Sequence, residues 1–187
     1  MLKNSLLILG IAALALGTAG IQAAVFPRVT AEELTSQSQV IVEGNVVRSW
    51  AAWDAEHKYI WTHYEVSVTD RLRGSAGATF TVSEPGGSLD GINQQFSGSV
   101  SYSPGETTVL FLYQTPIGYW RSVGGPQGKF TVDSEGRVHS SSQANTFIET
   151  PGSAAGTSLA VLEGMRLRDF KTRMLRLAAA LPFRGQR

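Results

Sequence analysis

A chain of 187 residues without a single cysteine excludes a disulfide framework and a lipid-modified cysteine, while its length suffices for one domain around one core. Net charge is +1, yet the residues from Glu163 onward hold seven Lys or Arg against two acids, while Ala24 to Leu162 hold eight against thirteen. An acidic body lacks the concentrated basic patch that a phosphate backbone requires, so nucleic acid is excluded as its partner.

In chain order, Lys3 precedes an apolar run from Leu6 to Leu16 that gives way to small residues in "GIQAAVF". The pattern predicts a secretory signal peptide over residues 1–23, cleaved after Ala23 or Ala24; the run is too short for the roughly 20 residues of a membrane span. The expected location is therefore periplasmic or extracellular. Thr30 followed by Glu33 is a capping-box spacing and predicts a short helix over about Ala31 to Ser36. Strand patterns follow at Val40 to Ser49 and Tyr59 to Leu72, the second alternating strictly from Ile60 to Thr69. Further strands are expected at Thr79 to Glu84, Thr107 to Tyr113, Tyr119 to Val123 and Lys129 to Val132, separated by Gly or Pro turns. Residues 133–158 are rich in small polar types and read as a flexible connection with at most a brief ordered piece around Phe147 and Ile148. Leu167, Phe170, Met174, Leu177 and Leu181 then recur at helical spacing, so an amphipathic helix and tail occupy 159–187.

These elements predict a mainly β domain over 24–132: a small five-stranded, OB-like antiparallel barrel with a short N-terminal helix and a C-terminal amphipathic helix. Val42, Val46, Ile60, Tyr64, Val66, Phe80, Val82, Phe111 and Phe130 are its expected interior, with the register of "TVLFLY" hidden by an unbroken apolar run. The basic helix is able to lie on an anionic membrane, but its stripe lacks interfacial Trp and Tyr, and the acidic body offers it a closer partner. Docking on the barrel is the expectation.

The stretch "VSEPGGSLDGINQQFSG", residues 82–98, invites a chemical reading that its spacing does not support. Gly86 and Gly87 are followed by Ser88 and Leu89, not by the Lys and Ser or Thr of a phosphate loop, and no G-x-S-x-G is present. Glu84, Asp90 and Asn93 fall short of a calcium ligand set. A turn and surface connection is the plainer reading. His57, His63 and His139 are isolated, without zinc spacing, so no metal, cofactor or catalytic residue is assigned. A metal-dependent or hydrolytic envelope enzyme using His57, His63 and nearby acids is the alternative. Trp50, Trp53 and Trp120 sit at strand ends, where aromatics either plug the open ends of a barrel or, with large apolar area and a polar edge, suit a partner or sugar site.

The succession "SQVIVEGNVV", "YIWTHYEVSVTDRLRG", "TFTVSEPGG", "SPGETTVLFLYQ" and "YWRSVGGPQGKFTV" resembles a group of exported bacterial proteins of uncharacterised function. More distantly it resembles the netrin-like modules of tissue inhibitors of metalloproteinases. That resemblance implies the barrel. It does not carry protease inhibition, which in those modules rests on an N-terminal cysteine and disulfides that this chain lacks. The expected function is an exported, non-catalytic binding module that engages a protein or glycan of the envelope or medium through a barrel face and aromatic rim, with Trp50, Trp53 and Trp120 as anchors.

Overall fold

The computed structural model describes residues 25–144, 146–148 and 156–185; the expected signal peptide and residues 149–155 of the expected connection lie outside them. β1 (Val25–Pro27) leads into α1 (Ala31–Gln37). The capping box is formed: Glu33 N–H donates to Thr30 Oγ1 at 3.1 Å, and Thr30 N–H donates to Glu33 Oε2 at 2.9 Å. These bonds satisfy two amides that a helix start otherwise leaves orphaned, and they hold Ala31 and Leu34 against the core.

β2 (Val40–Trp53) and β3 (Ile60–Arg73) pair as a long antiparallel hairpin, reaching further than the sequence pattern suggested. Register shifts at three places in β2 coil this hairpin, as bulges do. After β3 come β4 (Thr79–Pro85), a short β5 (Gly87–Leu89) and β6 (Ile92–Gln94), then β7 (Thr107–Gln114) and β8 (Trp120–Ser122). The fold is mainly β, and its central feature is a closed ring, β7–β2–β3–β4–β8 and back to β7. Pairing is antiparallel except at the seam, where β4 and β8 run parallel and share only the pair Val82 and Trp120. The other edge of β7 is divided, its first half pairing with β9 (Lys129–Val132) and its end with β8.

The expected flexible stretch after Asp133 carries order. β10 (Val138–Ser140) pairs with β9, and β11 (Thr146–Ile148) pairs in parallel with β1. At β10 both ring nitrogens of His139 meet carboxylates, Nε2 with Asp133 Oδ2 at 2.8 Å and Nδ1 with Glu163 Oε1 at 2.7 Å. Because a neutral imidazole has one N–H, satisfying both contacts requires the imidazolium. This clamp ties the β9–β10 turn to the segment that leads into α2 (Leu167–Ala180).

Two apolar clusters flank β7. Inside the ring lie Val42, Val46, Tyr64, Val66, Phe80, Val82, Leu110 and Leu112. Outside it, Ile41, Leu72, Val109, Phe111 and Phe130 pack beneath α1 and α2, with Phe170 and Met174 fully buried. The expected interior thus needs a correction: Phe111 and Phe130 are buried on the outer face, under the helices, and Leu110 and Leu112 take the inner positions. β7 is covered on both faces, which is why its sequence shows no alternation. α2 docks as its stripe requires, and Lys171 Nζ bonds Glu43 Oε2 at 2.7 Å and also pairs with Asp70. Among the described residues no helix is long and apolar enough to cross a membrane.

Candidate functional site

The distal half of the β2–β3 hairpin extends beyond the pairing of β2 with β7, which ends at Asn45. Successive side chains alternate between its two faces, so each face carries its own chemistry. On the outer face Trp50 lies directly across from His63, their rings stacked with centroids 5.3 Å apart. His63 meets Tyr119 edge-on at 5.5 Å, and Tyr119 leans on Trp61 at 4.7 Å. The Arg48 guanidinium lies over the Trp50 ring at 4.8 Å and is bonded to Glu65 Oε2 at 2.7 Å. The result is a continuous ladder of cation and aromatic groups. Its inner end is buried, with Trp61 and His63 each 9 % exposed, and its outer end is open, with Trp50 at 38 %.

His63 Nδ1 sits 2.8 Å from Ser83 Oγ, a serine–histidine pair formed across neighbouring strands that the sequence did not reveal. Burial holds the His63 pKa below its ordinary value, so the ring is neutral. Nucleophilic chemistry needs a hydroxyl that a substrate can reach, and Ser83 is 2 % exposed. The pair therefore fixes the tilt of the imidazole within the ladder. His57 lies elsewhere, in the hairpin turn, stacked on Trp53 at 6.3 Å. The two histidines are not brought together, and among the described residues no group of three His, Asp or Glu side chains converges as a metal would require.

The three tryptophans predicted as anchors also part company. Trp50 faces outward in the ladder. Trp53 stands near the hairpin tip, half-buried, where its Nε1 donates to Asp90 Oδ2 at 3.2 Å. Trp120 turns into the ring and packs on Phe80 at 5.0 Å.

The inner face is covered by residues 84–101, and here the plain connection expected from sequence turns out to be built. β5 and β6 form a hairpin that leans on the β2–β3 hairpin: Gln94 Oε1 accepts from Ile60 N–H at 2.8 Å, and Gln94 Nε2 donates to Lys58 O at 3.1 Å. Gly87 has φ 135°, and a Cβ there would collide with Thr62 Oγ1. The two glycines thus permit close approaches, Gly87 to the Thr62 side chain and Gly86 to the Gln94 backbone carbonyl. Asp90 is spent on Trp53 and Glu84 on Arg121, so the carboxylates once weighed for calcium point to separate partners.

Glu84 sits at the seam between β4 and β8. It is 2 % exposed; its Oε2 accepts from Arg121 Nη2 at 3.0 Å, and the backbone N–H groups of Ser122 and Val100 also support the carboxylate. Desolvation by burial raises its pKa, and the neighbouring Arg121 pulls in the opposite direction. Nearby, Tyr102 is buried with its hydroxyl 2.7 Å from Ser122 Oγ, and Lys129 Nζ lies 2.7 Å from Ser101 O and 2.6 Å from Glu106 Oε1. The members of this polar cluster are spread from Glu84 to Lys129 along the chain, without a short-range spacing that a sequence reading detects. The chain matches no protein-family model and no curated protein.

Proposed function

We propose that the chain is an exported, non-catalytic binding module, an OB-like barrel that engages a protein partner through the outer face of its β2–β3 hairpin. The observation that carries this is the ladder from Arg48 through Trp50, His63 and Tyr119 to Trp61, buried at one end and open at Trp50. Trp, Tyr and Arg are the side chains that dominate binding energy when a partner excludes water from them. Here they are propped in place before any partner arrives, which lowers the ordering cost of association. The Trp50 ring is already packed by His63 and by Arg48, which leaves it better suited to a partner's backbone and side chains than to the flat stacking of a sugar. The closed ring and the apolar N-terminal run support the OB-like and exported parts of the reading.

The test is affinity capture from the envelope and medium of the source cells with the mature protein and its Trp50→Ala variant. One protein should be retained in near-equimolar amount by the first and lost with the second. Equal capture by both, or retention of a polysaccharide alone, refutes the proposal. Trp50→Ala should keep the fold while losing some melting temperature, because the ring is 38 % exposed and the rest of it packs on His63 and Arg48.

A further inference from the structure

The distal half of β2 leaves an open strand edge in the plane of the sheet. β7 starts only at Thr107, and the loop before it closes that edge as far as Val46, whose N–H donates to Glu106 O at 3.0 Å and whose carbonyl accepts from Gly105 N–H at 2.8 Å. Beyond Val46 the strand pairs with β3 on one side, and among the described residues no strand pairs with it on the other. The bond from Asp54 N–H to Tyr59 O, at 2.9 Å, fixes which residues face β3. In an antiparallel ladder the hydrogen-bonded pairs recur at every second residue, so Ala52, Trp50 and Arg48 turn their backbone groups to Trp61, His63 and Glu65. Ser49, Ala51 and Trp53 turn theirs outward. The side chains from Val47 to Trp50 are exposed.

A row of unpaired N–H and C=O groups is a template for another strand, and folded proteins blunt such edges with Pro or Lys. Neither occurs between Val47 and Trp53, and the single charge there, Arg48, is already paired with Glu65. The segment "RSWAAWD", residues 48–54, is complementary to itself read backwards. Laid antiparallel about a two-fold axis at Ala51, two copies pair all of their outward groups: Ser49 with Trp53 of the second copy, Ala51 with its equivalent, and Trp53 with Ser49 of the second copy. On the outer face the same register sets Trp50 across from Ala52 of the second copy and Arg48 across from Asp54 of the second copy. Each large ring then meets a small residue and each cation an anion, the pairings that stabilise neighbouring strands. Shifting the register by two residues in either direction loses both matches. We propose that two copies of this chain pair through the distal edge of β2, antiparallel about Ala51, as an isologous dimer. The axis stands perpendicular to the joined sheets, so both aromatic ladders lie on one face. The dimer neither requires nor excludes the protein partner proposed above, and the purified protein alone tests it.

The experiment is sedimentation equilibrium of the mature protein from about 1 µM to 1 mM. One strand edge buries less than the roughly 1,200–2,000 Å² of a standard interface, so a reversible dimer forming at micromolar concentrations is expected. Ala51→Pro removes an outward N–H at a place where an edge strand tolerates proline, and it should raise the dissociation constant at least about tenfold. Should that variant not fold, cysteine cross-linking decides, since the chain has no other thiol. Two copies of Ala51→Cys would have Cα atoms about 5.5 Å apart, within disulfide reach. They should cross-link under mild oxidation at least about tenfold faster than Val47→Cys, which is more exposed, at 50 %, but lies off the axis. A monomer at every concentration, a dimer undiminished by Ala51→Pro, or equal cross-linking at the two positions overturns the proposal.

Discussion

The two cores on either side of β7 are built from different materials. Beneath α1 and α2 the outer core is hydrocarbon and aromatic: Phe111, Phe130 and Phe170 meet at centroid distances of 5.0 to 6.4 Å, with Leu34, Leu162 and Met174 around them. The inner core is apolar near β2 and β7, yet towards the seam it holds Glu84, Tyr102, Ser122 and Lys129. Apolar groups alone suffice where helices seal a sheet face. Where a ring closes through one parallel pair, the backbone leaves room and polar demand, and charged side chains fill it at a cost in desolvation. The outer core should therefore carry stability at every pH, and the inner one should make stability depend on pH.

The largest effect that follows is at Phe170, which is fully buried at the centre of the outer core. Phe170→Ala removes a ring that touches both Phe111 and Phe130, and large-to-small changes of this kind cost about 3–5 kcal/mol. For a chain of this length that corresponds to a fall in melting temperature of roughly 10 °C or more. Calorimetry of the variant checks it. A loss of only a degree or two would show that α2 is an accessory to the fold and would break the division of labour between the cores.

The next effect sharpens the inner half of the comparison. Arg121→Leu leaves the buried Glu84 carboxylate without its salt-bridge partner, and breaking a buried pair from one side costs about 3 kcal/mol or more while the charge persists. Glu84 already has a raised pKa from burial, so its charged form is the one that folding disfavours. Removing Arg121 raises that pKa further, and the penalty grows as pH rises above the ordinary carboxyl value and fades as pH falls towards it. The gap in melting temperature between variant and parent should thus be wide at neutral pH and narrow in mild acid. A gap independent of pH would mean that the side chain contributes by packing alone.

How much of this was legible in the sequence divides along the same line. α1 announced itself because a capping box is local, with three residues from Thr30 to Glu33. β3 was readable because Glu65, Ser67 and Thr69 keep part of one face exposed and its alternation survives, although Trp61 and His63 on that same face are buried. β7 showed a strand but not its register, because Val109 and Phe111 face the helices while Leu110 and Leu112 face the ring, and apolar side chains on both faces erase the period. Phe111 was misplaced for that reason, and Phe130 because its strand, β9, pairs with β7 outside the ring. The ladder was half visible: Trp50 stood out, but its neighbours, His63 on β3 and Tyr119 just before β8, meet it through pairings that no local pattern encodes. The folding of β5 and β6 back over β3 was invisible, a contact signalled only by two glycines that read as a turn.

The smallest effect concerns the seam between the β9–β10 turn and α2, and it tests whether an exposed clamp adds to the outer core that α2 completes. His139 is held by Asp133 and Glu163, and its hydrogen bonds to them, Asp133 first, raise its pKa above the ordinary value of about 6.5. Asp133 is shifted the other way, held down by the backbone N–H of Arg137 and by His139. For a histidine whose folded pKa exceeds the unfolded one, the folded state binds the proton more tightly. Its contribution is full below about pH 6.5 and is lost as pH rises through the folded pKa. Asp133 works in the opposite window, contributing above its ordinary carboxyl value and losing that contribution in acid. The parent should therefore lose some melting temperature between about pH 6 and pH 8.5, and His139→Gln, able to keep one donor but no charge, should flatten that part of the curve. The clamp is exposed and salt screens it, so the slope should shrink further when ionic strength is raised to about 1 M. A variant that keeps the parent's slope in low salt would place the titrating group elsewhere and would leave the carboxylates as partners of a neutral ring, one of whose two contacts must then be rebuilt.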